Sequence, residues 1–224
     1  MRSIGTRSFA ASKKKALKRR IRWKRWVFGL PIAIAVPFIL LVRLSTWLYV
    51  AKQMNGWVAV ILSALAAALL LGSVVWVVGR KLRAKPGLKV VRFSGLLLGV
   101  YCVYLLVFIS MSNVKTEDLQ ATYRHLHPVL RVALSTFILL DDQVVVTDTE
   151  RVPEDYRAMG LSNRPTSFHY EQVDGYVHAV DLRTRGRTPI QNTVTKFYFD
   201  LMGFSTLRHS GTADHLHVSL PLQY

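Results

Sequence analysis

The chain has 224 residues, a formal net charge of +17 and a single cysteine, so an intramolecular disulfide is excluded. The charge is divided unevenly. Residues 1–112 contain no acidic residue and 19 of the 30 lysines and arginines, whereas residues 113–224 carry 11 basic and 13 acidic groups. Two kinds of polypeptide are therefore joined in one chain, and the overall charge describes neither.

Three apolar segments account for the first half. Trp26–Val42 is uncharged and continues past Arg43 to about Tyr49, Trp57–Val78 has no charge over 22 residues, and Phe93–Ser112 has none over 20. A helix that crosses the ~30 Å hydrocarbon core needs about 20 such residues. We expect three transmembrane helices, with Arg43 near one end and reaching toward the headgroups. A cleaved signal peptide is the alternative for the first segment.

The basic residues predict the orientation of these helices. Eleven lie before Trp26 and six more in the loop 79–92, whereas the loop between the first two segments has a single Lys. Because basic loops stay in the cytoplasm, the pattern predicts a cytoplasmic N-terminus and an extracytoplasmic C-terminal half. Membrane orientation already explains the basic tail, so no nucleic-acid partner is expected. The expected domains are a basic tail (1–25), a transmembrane region (26–112) and one soluble domain (113–224).

The sequence pattern of the soluble half predicts a small α+β domain, in which helices surround a mostly antiparallel sheet. Residues 112–137 have helical spacing, with Thr116 as N-cap and a kink or break at Pro128. A second helix is indicated by Thr188 as N-cap, Pro189 at its first position and Gly203 as its end. The strands are predicted in the stretches QVVVTD, GYVHAVDL, STLRH and HLHVSL.

Five of the seven histidines lie between positions 169 and 217. In a strand, His215 and His217 would project from one face and Asp214 from the other, unless the strand begins or bends there. Cys102 lies in an apolar segment, so a metal site in the soluble half must be built from histidine and carboxylate, as zinc sites often are. His169, Glu171, Asp174, His178 and Asp181 are the upstream candidates. Surface or core histidines remain the alternative.

The order of these residues resembles the LAS group of zinc peptidases, which includes D-Ala-D-Ala carboxypeptidases, murein endopeptidases and the Hedgehog signalling domain. Their pattern is Ser-x-His-x-x-Gly-x-Ala-x-Asp, followed later by Glu/Asp-x-x-His or His-x-His. Ser167-Phe168-His169, Ala179-Val180-Asp181 and Asp214-His215-Leu216-His217 match its parts. The resemblance covers about residues 140 to 221.

The resemblance implies a role for each matching residue. His169, Asp181 and His217 would bind Zn²⁺, and Asp214 would be the general base. Arg151 would donate to the developing oxyanion, and His215 would lie beside the metal, where it hydrogen-bonds the intermediate or supports a ligand.

The spacing departs from the family pattern. Eleven residues separate His169 from Asp181, five more than in that pattern, and Val177 stands where the pattern has glycine. An inserted loop would reconcile the two. Without such a loop, Asp174 becomes the alternative carboxylate ligand. His178 is a less favoured histidine ligand.

The expected function is that of a membrane-anchored zinc metallopeptidase that cleaves peptide bonds in peptidoglycan stems, with a metal-activated water as nucleophile. We expect it in the inner membrane of a bacterium, with the C-terminal domain in the periplasm or outside the cell. Peptidoglycan stem peptides and the lipid bilayer are its expected partners. Two alternatives remain open: a non-catalytic domain on the same fold that binds peptidoglycan or a protein, and a passive soluble cap on a membrane protein.

Overall fold

The structure is a computed structural model, and it describes residues 35–81, 88–158, 160, 166–211 and 214–222. The predicted basic tail (1–25), the start of the first apolar segment (26–34) and part of the basic loop (82–87) lie outside the described residues.

Three long helices form the first half of the described chain: α1 (Ala35–Lys52), α2 (Gly56–Lys81) and α3 (Leu88–Val107). By length and composition, α1 and α2 are long and apolar enough to cross a membrane. The apolar stretch of α3, Gly95–Val107, is shorter, so a third membrane span over 93–112 is not confirmed.

Side chains of the second half bind the last carbonyls of the third helix, which ends before the apolar run does. The hydroxyl of Tyr123 donates to the Leu105 carbonyl at 2.6 Å, and Nη1 of Arg131 donates to the Leu106 carbonyl at 2.6 Å. These bonds satisfy carbonyls that have no partner within the helix. The chain then leaves the helix after Val107.

Among its described residues, the second half has four α-helices and four strands. The helices are α4 (Glu117–Thr122), α5 (Pro128–Ile138), α6 (Pro153–Ala158) and α7 (Pro189–Met202). The strands are β1 (Val146–Asp148), β2 (Ala179–Arg183), β3 (Ser205–His209) and β4 (His215–Ser219). They form one sheet in the order β1-β2-β4-β3, and every neighbouring pair is antiparallel. The predicted antiparallel sheet is confirmed.

The predicted end signals of α7 are also present. Thr188 accepts from the Gln191 amide and completes a capping box, Pro189 occupies the first turn, and Gly203 ends the helix at φ 96°. Thr116 precedes α4, but its side chain makes no capping hydrogen bond. Pro128 begins α5 instead of kinking a longer helix, and the preceding His127 caps it.

The two halves share one hydrophobic core. Helix α5 is buried along almost its whole length and packs against α2, α3 and α7. The buried apolar residues form a single cluster that runs from Leu41 in α1 to Leu220 after β4. Nη1 of Arg43 in α1 donates to the Met202 carbonyl of the second half at 3.4 Å. Residues 113–224 therefore depend on the helices for part of their core.

Candidate metal centre

Strand pairing places two of the predicted ligands side by side. In the register of β2 with β4, Asp181 lies opposite His217 and Arg183 lies opposite His215. Because side chains alternate along a strand, these four residues share one face of the sheet. Leu216 and the other even-numbered residues of β4 point to the opposite face.

The loop before β2 brings His169 to the same place. A tight turn, in which the Gln172 amide donates to the Tyr176 carbonyl at 2.9 Å, takes up the additional residues. Glu171 and Val177 form an isolated antiparallel bridge that closes it, and the His178 amide donates to the Phe168 carbonyl at 3.0 Å. The chain therefore returns to its starting point, and the long spacing does not separate His169 from Asp181.

His169, Asp181 and His217, called the Asp181 cluster below, bring three ligand atoms together. Nε2 of His169 lies 3.2 Å from Nδ1 of His217 and 3.3 Å from Oδ1 of Asp181, and the last two atoms are 2.9 Å apart. Zinc bonds of 2.0–2.1 Å in a tetrahedron place neighbouring ligand atoms about 3.3–3.4 Å apart. The three atoms thus form a triangle that is close to the size needed for such an ion.

The backbone fixes which nitrogen of His169 faces the cluster. Nδ1 of His169 is hydrogen-bonded to the carbonyl oxygen of Thr149. A carbonyl only accepts, so Nδ1 carries the proton, and Nε2 of the neutral ring presents a lone pair. In the neutral ring that lone pair faces a carboxylate oxygen, so the contact is favourable only when a metal ion or a second ring proton lies between the two atoms. Metal-binding histidines in proteins are commonly held in this way.

Arg151 holds the other oxygen of Asp181. Its Nη2 lies 2.9 Å from Oδ2 of Asp181, and its Nε donates to Oδ2 of Asp148 at 2.6 Å. Burial alone would raise the pKa of Asp181, but hydrogen bonds from His169 and His217, and the positive charge of His169 and His215 when their rings are protonated, lower it well below its usual range. Asp181 is therefore an ionised, buried carboxylate. Arg151 contacts this carboxylate, whereas the family resemblance assigned it to an oxyanion.

His215 lies beside the cluster, as the resemblance implied. Its Nε2 is 3.5 Å from Oδ2 of Asp181, and its ring stacks on that of His209 with the centroids 4.8 Å apart. The side chains of His215 and His217 are 22% and 20% exposed, whereas those of His169 and Asp181 are almost fully buried. The cluster is thus open to solvent on the side of β4.

Asp214 is not brought to the cluster. Its Oδ1 accepts a hydrogen bond from the Thr184 hydroxyl at 2.6 Å, and its carboxylate is paired with Arg208 at 2.9 Å. The hydrogen bond with Arg208, then that with Thr184, lowers the pKa of Asp214 to about 2. The predicted general base therefore lies on the opposite face of the sheet. Neighbouring side chains along a strand point to opposite faces, and Asp214 directly precedes His215.

A second group of two histidines and a carboxylate lies where α1 ends and α2 begins. It consists of His127, Asp174 and His178 and is called the Asp174 cluster below. Nε2 of His178 lies 2.9 Å from Oδ2 of Asp174, and Nε2 of His127 lies 3.6 Å from the same oxygen. The alternative ligand Asp174 and the less favoured His178 thus both belong to a different group from His169.

The hydrogen bonds of the Asp174 cluster do not suit a metal. Nδ1 of His127 accepts from the Val129 amide at 3.2 Å, so the proton of the neutral ring is on Nε2, the nitrogen that faces Asp174. Binding of a metal at Nε2 would require the loss of that proton as well. Asp174 instead accepts hydrogen bonds from its neighbours, which include the Tyr49 hydroxyl at 3.3 Å.

The Asp174 cluster connects the helices to the second half of the chain. Tyr49 belongs to α1, and the neighbouring Tyr176 hydroxyl accepts from Nε1 of Trp57 in α2 at 2.7 Å. Gly56 leaves no room for a side chain there, because an added Cβ would lie 2.4 Å from Nε2 of His127. The loop between His169 and β2, which carries Asp174 and Tyr176, therefore docks onto the end of α1 and the start of α2.

Sequence reasoning did not identify His127 or Tyr49. The His-Pro pair at the start of an apolar helical run is a recognisable capping signal for His127. Tyr49 has no such signal, because only the tertiary fold places it against a loop 125 residues away.

Comparisons of the chain with models of protein families, with curated proteins and with solved structures gave no match.

Proposed function

We propose that this chain is a membrane-anchored, metal-dependent hydrolase whose site is the Asp181 cluster. The observation that carries the proposal is the triangle of Nε2 of His169, Oδ1 of Asp181 and Nδ1 of His217, with edges of 2.9–3.3 Å. The side of this triangle toward β4 is accessible to solvent. A structural zinc site is closed by four protein ligands, whereas a catalytic site keeps a position open.

Each side chain has a role that follows from its contacts. His169, Asp181 and His217 would hold the metal, and zinc bound there would supply Lewis-acid activation of water and of a carbonyl group. Arg151 holds Oδ2 of Asp181, which keeps Oδ1 directed at the histidines. The Thr149 carbonyl holds His169 in the tautomer that can bind a metal.

We assign proton transfer to His215 and not to Asp214. His215 is on the same face as the ligands, is partly exposed, and has Nε2 3.5 Å from Oδ2 of Asp181. Asp214 is occupied by Thr184 and Arg208 on the other face. A histidine two residues before a ligand on the same strand is well placed to exchange a proton with a substrate that enters from solvent.

The proposed substrates are the peptide stems of peptidoglycan, and the proposed location is the inner membrane of a bacterium. Helices α1 and α2 support membrane attachment. Residues 1–112 contain 19 of the 30 basic residues and no acidic residue, and this charge distribution supports a cytoplasmic N-terminus. The Asp181 cluster would then lie in the periplasm or outside the cell. The substrate class is the one that the order of Ser167, His169, Asp181, His215 and His217 implies.

The test uses the full chain in detergent, because the helices supply part of the core. We expect equimolar zinc by elemental mass spectrometry, lost in His217→Ala and kept in His209→Ala, which removes a histidine of the adjacent strand. Zinc retained at the wild-type level by His217→Ala would contradict the proposed site.

Hydrolysis of stem peptides then tests the assignment of His215. We expect His215→Ala to keep zinc and to lose about 10²-fold or more in turnover, the usual contribution of a proton-transfer group. Unchanged turnover in that variant would overturn its role.

A second candidate is a non-catalytic domain that binds peptidoglycan or a protein. The observation that favours it is the engagement of Asp214 by Arg208, which leaves the predicted carboxylate base away from the site. Zinc binding without hydrolysis of any stem peptide, together with retention on peptidoglycan, would support this candidate.

A further inference from the structure

Helix α7 exposes a line of large apolar side chains. Ile190, Val194, Phe197 and Leu201 are 77%, 51%, 64% and 53% exposed. Their spacing of four, three and four residues places them along one side of the helix. The buried residues of α7 lie on the other side, so this line, called the α7 stripe below, does not contribute to the core. The buried residues are Asn192, Thr195, Phe199 and Met202.

Polar residues occupy a separate strip of the same helix. Thr193, Lys196 and Asp200 are exposed, and Nζ of Lys196 pairs with Oδ2 of Asp200 at 2.5 Å. At about 100° per residue, this strip lies to one side of the α7 stripe. A helix with one exposed apolar side and one exposed polar side is typical of the interface between a bilayer and water.

The other side of the α7 stripe is continuous with the membrane helix α1. Tyr198 lines an apolar cavity of about 260 Å³ together with Ala35, Phe38 and Ile39 of α1. Leu139 and Leu140, which follow α5, line the same cavity and are themselves exposed. The apolar surface thus runs from α1 across the end of α5 toward α7.

Arg43 holds the C-terminal end of α7 against α1. Its Nη1 donates to the Met202 carbonyl at 3.4 Å, and an added Cβ on Gly203 would lie 2.4 Å from that nitrogen. A cation is favourable at the C-terminus of a helix, where the carbonyls are unpaired. Helix α7 is therefore attached directly to a helix that is apolar enough to cross the bilayer.

We propose that the α7 stripe faces lipid, with the acyl chains of the bilayer that α1 and α2 cross covering it. This inference rests on the membrane attachment proposed above. Large exposed apolar patches mark membrane or protein contacts. Continuity with α1, and a separate polar strip with Lys196, favour lipid. Helix α7 lies beside the part of α1 that carries Phe38 and Arg43, so the second half of the chain reaches into the bilayer and does not lie entirely above it.

The experiment places a nitroxide spin label on the full chain in lipid nanodiscs, with Cys102→Ala as background. Labels are attached at Val194→Cys, at Lys196→Cys as the polar control, and at Leu69→Cys, an exposed position on α2. Relaxation by oxygen, which concentrates in hydrocarbon, is compared with relaxation by a water-soluble nickel chelate. We expect the oxygen-to-nickel ratio at 194 to match that at 69 and to be several-fold higher than at 196.

Three results would overturn the inference. A nickel-accessible label at 194 with a lipid-exposed label at 69 would place the α7 stripe in water while membrane attachment stands. A label at 194 that neither reagent reaches would show that a protein surface, such as a second copy, covers the stripe. A nickel-accessible label at 69 would remove membrane attachment itself. Phe197→Cys repeats the reading if Val194→Cys does not fold.

Discussion

The Asp181 and Asp174 clusters have the same composition, two histidines and one aspartate, but different chemistry. In the Asp181 cluster a backbone carbonyl accepts from Nδ1 of His169 and leaves a lone pair on Nε2. In the Asp174 cluster a backbone amide donates to Nδ1 of His127, so the proton is on Nε2. The backbone partner of the distal nitrogen therefore decides whether a His/Asp group suits a metal or an internal hydrogen-bond network.

The strongest test of this comparison is Asp181→Asn. We expect zinc content to fall to background. Stability should fall by about 1.5–3 kcal/mol, because the partly buried Arg151 loses one of its two charged partners. Elemental mass spectrometry and thermal unfolding of the full chain measure the two effects. Asp148→Ala, which removes the other partner of Arg151, is the control that keeps zinc.

The matching change in the other cluster is Asp174→Ala. We expect zinc content to stay unchanged and stability to fall by about 1–3 kcal/mol, since the buried Nε2 of His178 and the Tyr49 hydroxyl lose their acceptor. Val173→Ala, at a fully exposed position of the same loop, should have no effect on unfolding. Loss of zinc in Asp174→Ala would erase the distinction between the clusters.

The pH dependence of stability gives a smaller effect. Burial, then the charges of His178 and Arg131, lower the pKa of His127 to about 2. The ordinary value is about 6.5, so below that pH the unfolded chain binds a proton that the folded chain does not. Stability should therefore fall as the pH falls from about 6.5 toward 2, by up to about 1.4 kcal/mol per unit.

His127→Asn isolates this contribution, because asparagine keeps a capping acceptor but does not titrate. Denaturant unfolding between about pH 7 and 5 should show a shallower slope in the variant than in the parent chain. Equal slopes would mean that His127 titrates normally in the folded state.

The smallest expected effect is that of Asp214→Asn. Because Asp214 contacts Thr184 and Arg208 and not the Asp181 cluster, zinc content and hydrolysis of stem peptides should both stay at the level of the parent chain. The assay runs beside His215→Ala. A loss of turnover in Asp214→Asn alone would restore the carboxylate as the base and remove His215 from that role.

Much of the local structure was predictable because its signals are short-range. The four strands, the start of α7 at Thr188 and its end at Gly203 all follow from neighbouring residues. The convergence of His169, Asp181 and His217 was predicted from the order of the motif, and the register of β2 with β4 produces it.

The departures arise where distant parts of the chain meet. Nothing in the sequence pattern indicates that the Arg43 guanidinium has a partner at the end of α7, where it donates to a backbone carbonyl. Asp214 was expected at the metal, but Arg208 and Thr184 bind it on the opposite face. In both cases a charged side chain takes the nearest partner of opposite polarity, and a linear pattern does not reveal which partner is near.

The sequence by itself determined the apolar helices, the antiparallel α+β half and the candidate ligands, because hydrophobic spacing and capping act within a few residues. Only the tertiary structure decided that Asp174 and His178 form a separate group with His127, and which ring nitrogen of His169 carries the proton in the neutral ring. Those outcomes depend on groups far apart in the chain: the Thr149 carbonyl beside His169 and the Asp174 carboxylate beside His127.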